Sequence, residues 1–122
     1  MILVDTSVWV HHFRERDSML TELLERGAAL THPFVIGELA LGNLRHRELV
    51  LRMLSQLPAA NVATNADVLR FIEQNSLFGR GVGYVDAHLL AANTLTAGSQ
   101  LWTLDKRLNE VAVQLGMAAG TG

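Results

Sequence analysis

The sequence predicts a single α/β domain over residues 1–122, with a short central parallel β-sheet flanked by α-helices on both faces. Two short runs, Met1–Val4 and Leu101–Leu104, are almost wholly apolar, which is typical of strands buried on both faces of a parallel sheet. Segments with apolar residues at helical spacing lie between them, and such alternation implies crossovers onto a parallel sheet. An apolar share of 49% in 122 residues is enough for one hydrophobic core.

The first elements follow from local patterns near the N-terminus. The strand Met1–Val4 stops at an acid, Asp5. The segment Asp17–Gly27 predicts an amphipathic helix, because apolar residues recur at helical spacing between polar N-cap candidates and a glycine stop. Ala28–Thr31 then predicts a second short strand.

The middle of the chain predicts helical structure. Pro33 suits the first turn of a helix that runs through Glu38 toward Leu44, because proline lacks an N–H and its φ is already helical. The basic stretch Arg45–Leu57 is expected to continue helically up to the next proline. Its clustered arginines, Arg45, Arg47 and Arg52, have side chains suited to phosphate, but we interpret them as a solvated helix face.

The second half repeats the alternation. Ala59–Ala63 predicts a strand, and Thr64–Leu77 a helix with an N-cap threonine. A glycine-rich loop leads into the helix Tyr84–Ala97, which carries Asp86 in its first turn and ends at a glycine.

The last elements are a strand and a helix that meet at an acid. The strand Leu101–Leu104 stops at Asp105, which is expected to cap a final helix that reaches Gly116. In open parallel sheets ligands bind beyond the carboxyl ends of the strands. Asp5 and Asp105 both fall at such ends, so the sequence places a site there.

Composition excludes several classes of protein. The chain has no cysteine, so disulfide scaffolds, thiolate metal sites and thiol catalysis are excluded, and a reducing cytoplasm is expected. The apolar run at Met1–Val4 is too short for a signal peptide or a membrane span, so no membrane association is expected. The formal charge of −2 argues against a general nucleic-acid coat protein. P-loop and dinucleotide-binding glycine motifs are also missing.

Four acids lie in apolar sequence, unlike most of the twelve. They are Asp5, Glu38, Asp86 and Asp105. A carboxylate buried without a partner is costly, so it must be hydrogen-bonded, paired, protonated or bound to a metal. Oxygen ligands without cysteine- or histidine-rich spacing favour Mg²⁺ or Mn²⁺, the ions that usually meet phosphates. The acids therefore predict metal-assisted phosphodiester chemistry.

Each acid also has a structural explanation when it is considered alone. Asp105 could be only an N-cap, Asp86 a partner of the helix dipole and Glu38 a surface residue. An N-cap role for Asp5 is less expected, because Thr6 or Ser7 would serve as well. The functional hypothesis therefore depends on the convergence of the four side chains.

Four separated segments together resemble PIN-domain ribonucleases, specifically the VapC-type toxins of bacterial toxin–antitoxin pairs. They are Leu3–Trp9, Ile36–Leu39, Gly81–Ala91 and Leu101–Leu108, and the likeness covers nearly the full length. The resemblance implies a Mg²⁺- or Mn²⁺-dependent endoribonuclease, inhibited by a VapB-type antitoxin and commonly homodimeric. The RNA that it cuts is not implied.

The resemblance also assigns roles to individual residues. Asp5, Glu38, Asp86 and Asp105 match the acidic metal-binding and catalytic quartet. The hydroxyls of Thr6 or Ser7, and of Thr103, match positions that support the acids.

Three cations are candidates for contacts with the RNA backbone, because they lie on the glycine loop or beside Asp105. They are Arg80, Lys106 and Arg107. The alternative from another class is a catalytically inactive PIN-like module that acts only in protein binding or dimerisation.

Overall fold

The computed structural model describes residues 1–120, so the last two residues of the predicted domain, 121 and 122, lie outside the described residues. The described part holds three strands and seven helices. In chain order these are β1 (Ile2–Val4), α1 (Thr6–Arg14), α2 (Ser18–Glu25), β2 (Ala29–Leu30), α3 (Pro33–Ala40), α4 (Arg47–Gln56), α5 (Asn65–Gln74), α6 (Tyr84–Leu95), β3 (Gln100–Trp102) and α7 (Lys106–Gln114).

The sheet is parallel, with β1 between β2 and β3. Leu3 of the central strand is paired with Leu30 on one side and with Leu101 on the other. Leu3 and Val4 are both fully buried, and neighbouring side chains of a strand point to opposite faces. Both faces of the sheet are therefore covered, which confirms the predicted α/β class.

Capping explains why most helices begin where the sequence predicted. The Thr64 side chain accepts from the backbone of Asp67 (3.1 Å), whose carboxylate accepts in return from the Thr64 backbone, and α5 follows. Asp17 caps α2 through the amides of Met19 and Leu20 (2.9 and 3.0 Å). These side chains satisfy N–H groups that a helix cannot pair internally.

Helix α1 was not predicted, although it forms part of the core. It begins directly after Asp5 and buries Val8 and Trp9 completely. Thr6, Val8 and Val10 are β-branched and lower the intrinsic helix propensity of this segment. The packing of its buried side chains outweighs that preference, which a local pattern does not reveal.

The predicted helical continuity from Pro33 to Leu57 is wrong. Helix α3 ends at Ala40, and a turn over residues 41–46 separates it from α4. His46 just before α4 has a left-handed backbone (φ +55°). The Arg47 guanidinium donates to the carbonyls of Ala40 and Gly42 (2.6 and 3.3 Å), so this arginine, which is exposed as predicted, also closes the turn.

The predicted strand Ala59–Ala63 is also wrong. It is reduced to one parallel bridge between Ala59 and Thr31, held by two backbone hydrogen bonds of 2.9 Å. At the opposite side of the sheet, Ala118 forms a similar one-residue bridge with Leu101. Each outer strand thus has a single extra residue paired along its free edge.

No helix within residues 1–120 combines the length and the apolar character that crossing a bilayer requires.

The fold makes a direct prediction about stability. Leu3 is fully buried on the central strand, so Leu3→Ala should lower the free energy of unfolding by about 2–5 kcal/mol, through the reduced burial and the cavity that remains. Leu49→Ala makes the same chemical change at a side chain that is 64% exposed and serves as the control. Urea unfolding measures both, and equal losses would contradict the assignment of β1 to the core.

Candidate active site

Asp5 joins the carboxyl end of β1 to the start of α1. The structure makes it the N-cap of α1, so the expectation that Thr6 or Ser7 would take that role is wrong. The Asp5 side chain is only 6% exposed, and its Oδ2 accepts from the hydroxyls of Ser7 (2.6 Å) and Thr103 (2.8 Å). Ser7 and Thr103 therefore replace part of the water that the carboxylate loses on burial.

Glu38 reaches the same region from α3. Its Oε1 accepts a 2.6 Å hydrogen bond from the hydroxyl of Thr6, the residue next to Asp5. Glu38 itself is exposed. One hydrogen bond therefore holds the exposed acid beside the start of α1.

Asp86 lies in the first turn of α6, where its Oδ2 accepts from the backbone N–H of Gly83 (3.2 Å). Burial raises the pKa of this half-buried carboxyl, and the Gly83 N–H opposes that shift. The negative charges of Asp5, Asp105 and Glu38 raise the pKa further. Asp5, Glu38 and Asp105 are thus each near enough to repel the charge of Asp86.

Asp105 caps α7, as the sequence predicted. Its Oδ1 accepts from the Leu108 amide (3.0 Å), and its own N–H donates to the Thr103 hydroxyl (3.0 Å). Because Thr103 also donates to Asp5, it connects the acids at the ends of β1 and β3. Asp105 itself is exposed.

The four acids share one pattern of hydrogen bonding. In each, the described residues hydrogen-bond only one carboxylate oxygen: Asp5 Oδ2, Glu38 Oε1, Asp86 Oδ2 and Asp105 Oδ1. The other oxygen of each is left without a partner from the described chain. The held oxygen fixes the carboxylate and the free oxygen can accept a ligand.

The donor set suits a hard divalent cation, because it consists of carboxylate oxygens. Within residues 1–120, however, no three histidine or acidic side chains are gathered closely enough to form a ready-made metal site. Ion binding would therefore have to draw the acids together against the repulsion that raises the pKa of Asp86.

Arg107 lies against the glycine-rich loop that precedes α6. A Cβ atom added to Gly81 would be 2.7 Å from both Cδ and Nη1 of Arg107, and Gly81 has a positive φ of +80°. The loop thus leaves room for the arginine between the start of α7 and the helix that carries Asp86. Lys106 is exposed at the first position of α7, and Arg80 is half-buried in the loop.

Two further arginines, Arg14 and Arg16, were missed because α1 was not predicted, and a third, Arg45, was assigned only to a solvated helix face. Arg14 is the last residue of α1, Arg16 lies just beyond the helix, and Arg45 lies on the turn between α3 and α4. All three line one groove of about 940 Å³. Glu38 stands in the wall of that groove. The signal that would have shown this proximity is the packing of α1 against α3, which no local pattern contains.

Comparisons with known proteins identify the family of this chain. The PIN domain family model matches residues 2–114. Ribonuclease VapC32 of Mycobacterium tuberculosis, strain CDC 1551 / Oshkosh, is 48% identical over 118 residues, covering 97% of this chain and 95% of the relative. The protein of that name from strain ATCC 25618 / H37Rv matches to the same extent. The chain therefore belongs to the PIN-domain family, among its VapC-type ribonucleases.

Proposed function

We propose that this VapC-type endoribonuclease hydrolyses RNA phosphodiester bonds at Asp5, Glu38, Asp86 and Asp105, with Mg²⁺ or Mn²⁺ bound. The observation that carries the proposal is the effect of three acids on the pKa of the fourth, Asp86. The two ion pairs within residues 1–120, Arg26–Glu22 and Arg70–Asp67, involve none of the four acids. A bound metal ion would balance the negative charge of these acids, which no Lys or Arg of the described residues pairs with.

The four acids would hold the metal through their free oxygens. When bound, a divalent ion supplies a water of lowered pKa and neutralises charge on the phosphate. Ser7 and Thr103 orient Asp5 by occupying its other oxygen, and Thr6 does the same for Glu38. Such hydrogen bonds fix the direction of a ligand and commonly affect metal affinity.

The RNA backbone would meet cations beside the acids. Arg107 is the first of these, because its packing on Gly81 places it next to the loop before Asp86. Lys106 and Arg80 are proposed as further, weaker contacts. Both are available for phosphate, because neither forms an ion pair within the described residues. Guanidinium groups suit this role because they can bind phosphate with two hydrogen bonds.

We also propose that the chain is the toxin of a type II toxin–antitoxin pair and acts in the cytoplasm. A cognate VapB-type antitoxin would insert a basic side chain among the four acids, because concentrated negative charge favours a charge-assisted contact. We further propose a homodimer formed through apolar helix faces, for which exposed side chains such as Leu69 and Val113 are available. Light scattering of the purified chain measures that state.

Asp5→Asn and Asp86→Asn should each reduce metal-dependent RNA cleavage on the order of a hundredfold or more, since they remove charge from a ligand and little volume. Glu38→Gln should reduce cleavage to a similar extent, and Asp105→Asn should be milder, because Asp105 is proposed to hold the metal loosely. Initial rates on an RNA pool with Mg²⁺ or Mn²⁺ measure these effects.

Asp17→Asn is the matched control, because it makes the same change at the cap of α2, outside the candidate site. Wild-type rates in purified Asp5→Asn or Asp86→Asn would contradict the assignment. A wild-type chain that leaves RNA intact with either metal would support the inactive PIN-like module instead.

The raised pKa of Asp86 predicts a pH dependence of metal-free stability. Between the ordinary value of 3.8 and the raised value, the folded chain holds more protons than the unfolded chain. Stability therefore falls as pH rises through that window. Asp86→Asn removes this loss, so the melting temperature of the variant minus that of the wild type, in EDTA, should increase as the pH rises from about 4 to 7.

Bound metal should reverse the difference in melting temperature between Asp86→Asn and the wild type. An ion that binds only the folded state raises the melting temperature as its concentration increases. Titrating Mg²⁺ or Mn²⁺ at neutral pH should stabilise the wild type and Asp17→Asn alike, and Asp86→Asn much less. Equal stabilisation of all three proteins would show that the ion binds elsewhere.

Gly81→Ala should weaken RNA binding through Arg107. The added Cβ would force the arginine side chain to move, so KM should rise several-fold with little change in kcat. Gly79→Ala is the matched control, since Gly79 has a similar φ of +73° but no atom within 4 Å of an added Cβ. Both changes strain the loop backbone. Kinetics that change equally in the two variants would assign the effect to the loop and not to Arg107.

A further inference from the structure

We infer that the groove between α1 and the turn joining α3 to α4 binds the backbone of single-stranded RNA that extends away from the cleaved bond. This inference rests on the proposed function, because it assigns a path to the substrate of that site. The groove has a volume of about 940 Å³. Its walls include Arg14, Arg16, Arg45 and, at the active-site side, Glu38.

The charges that line this groove favour an anionic ligand. Three of the nine arginines line it, against one carboxylate, in a chain whose formal charge is −2. The ion pairs found within residues 1–120 join Arg26 to Glu22 and Arg70 to Asp67, so no groove arginine is paired with a carboxylate there. Unpaired guanidinium groups on a concave surface attract phosphates.

The remaining hydrogen-bonding capacity of these side chains suits the same ligand. Arg16 donates its Nε to the hydroxyl of Thr21 (3.2 Å), which leaves its terminal nitrogens for other partners. The described residues give Arg14 and Arg45 no side-chain hydrogen bond. Arg47, by contrast, is used within the fold, because it donates to the carbonyls of Ala40 and Gly42.

The groove also offers surfaces for bases. Phe13 and Val10 are each more than one-third exposed in its wall. His12 accepts from the amide of Asp17 through Nδ1 (2.9 Å), so its proton is on Nε2, and its ring packs edge to face with Trp9. Aromatic surfaces beside a cationic track are the usual arrangement for binding single strands without sequence preference.

Position argues for RNA over a protein ligand. Glu38 belongs both to the acidic quartet and to the groove wall, so a strand cut beside Glu38 can continue directly into the groove. A polymer substrate must pass beyond its cleaved bond, and the flanking phosphates need cations. A second cavity of about 720 Å³, beside Thr103 and Leu104, is lined by none of the four acids.

The test uses Arg14→Ala/Arg45→Ala, two changes at exposed side chains. The control Arg26→Ala/Arg70→Ala removes the same charge from α2 and α5, away from the groove. Kinetics are measured on a long RNA that the wild type cuts and on the shortest fragment that it still cuts. For the long RNA, KM of the groove variant should rise about tenfold with kcat unchanged. KM for the short fragment should stay at the wild-type value.

Salt dependence gives an independent readout. The affinity for labelled long RNA, from fluorescence anisotropy with EDTA, should fall less steeply with salt in the groove variant. The slope should decrease by about 0.7 for each RNA phosphate that an arginine no longer neutralises. The control variant should keep the wild-type slope. Equal changes in the two variants, or equal KM changes for long and short RNA, would overturn the inference.

Binding and cleavage separate the two proposals. RNA affinity that depends on Arg14 and Arg45, in a wild type that cuts nothing, would contradict the proposed function and support the groove. Normal cleavage with unchanged RNA affinity in the groove variant would support the proposed function and contradict the groove inference. If the groove variant keeps its RNA affinity but loses affinity for an antitoxin, the groove binds protein and the inference is wrong.

Discussion

The buried carboxylate of Asp5 is the constraint on which the rest of the site depends. It ends β1, caps α1 and receives the hydroxyl of Thr103 from just beyond β3, so three elements meet at one charged group. A buried charge requires compensation, and here Ser7 and Thr103 provide it without neutralising the charge. The fold thereby keeps a carboxylate oxygen of Asp5 at the carboxyl edge of the sheet, where Glu38 and Asp86 also lie.

That constraint connects stability with chemistry at a single position. Asp5 contributes to the fold as a cap and to the proposed reaction as a ligand, so a melting temperature alone does not distinguish the two roles. Asp86 separates them better, because its only hydrogen bond within the described chain comes from Gly83 and burial already raises its pKa. For trapping RNA on an inactive but well-folded protein, Asp86 is accordingly the better position to change.

The sequence was sufficient wherever local chemistry determines the structure. Thr64 and Asp105 indicated helix starts, and the apolar runs before Asp5 and Asp105 placed two acids at one edge of the sheet. The sequence was insufficient where contacts between residues far apart in the chain determine the structure. Helix α1 forms despite β-branched residues because Trp9 is buried, and the break after α3 is closed by Arg47 reaching back to two carbonyls. The groove was missed for the same reason, since Arg14 and Arg16 become neighbours of Arg45 only when α1 packs on α3.

The one-residue bridges at Ala59 and Ala118 determine how copies of this chain can associate. A short parallel sheet with open edges offers unpaired backbone groups to any passing strand, and edge-to-edge pairing is a common route to aggregation. Here a loop segment occupies part of the β2 edge and the C-terminal segment part of the β3 edge. Addition of a further strand is therefore hindered at both edges of the sheet.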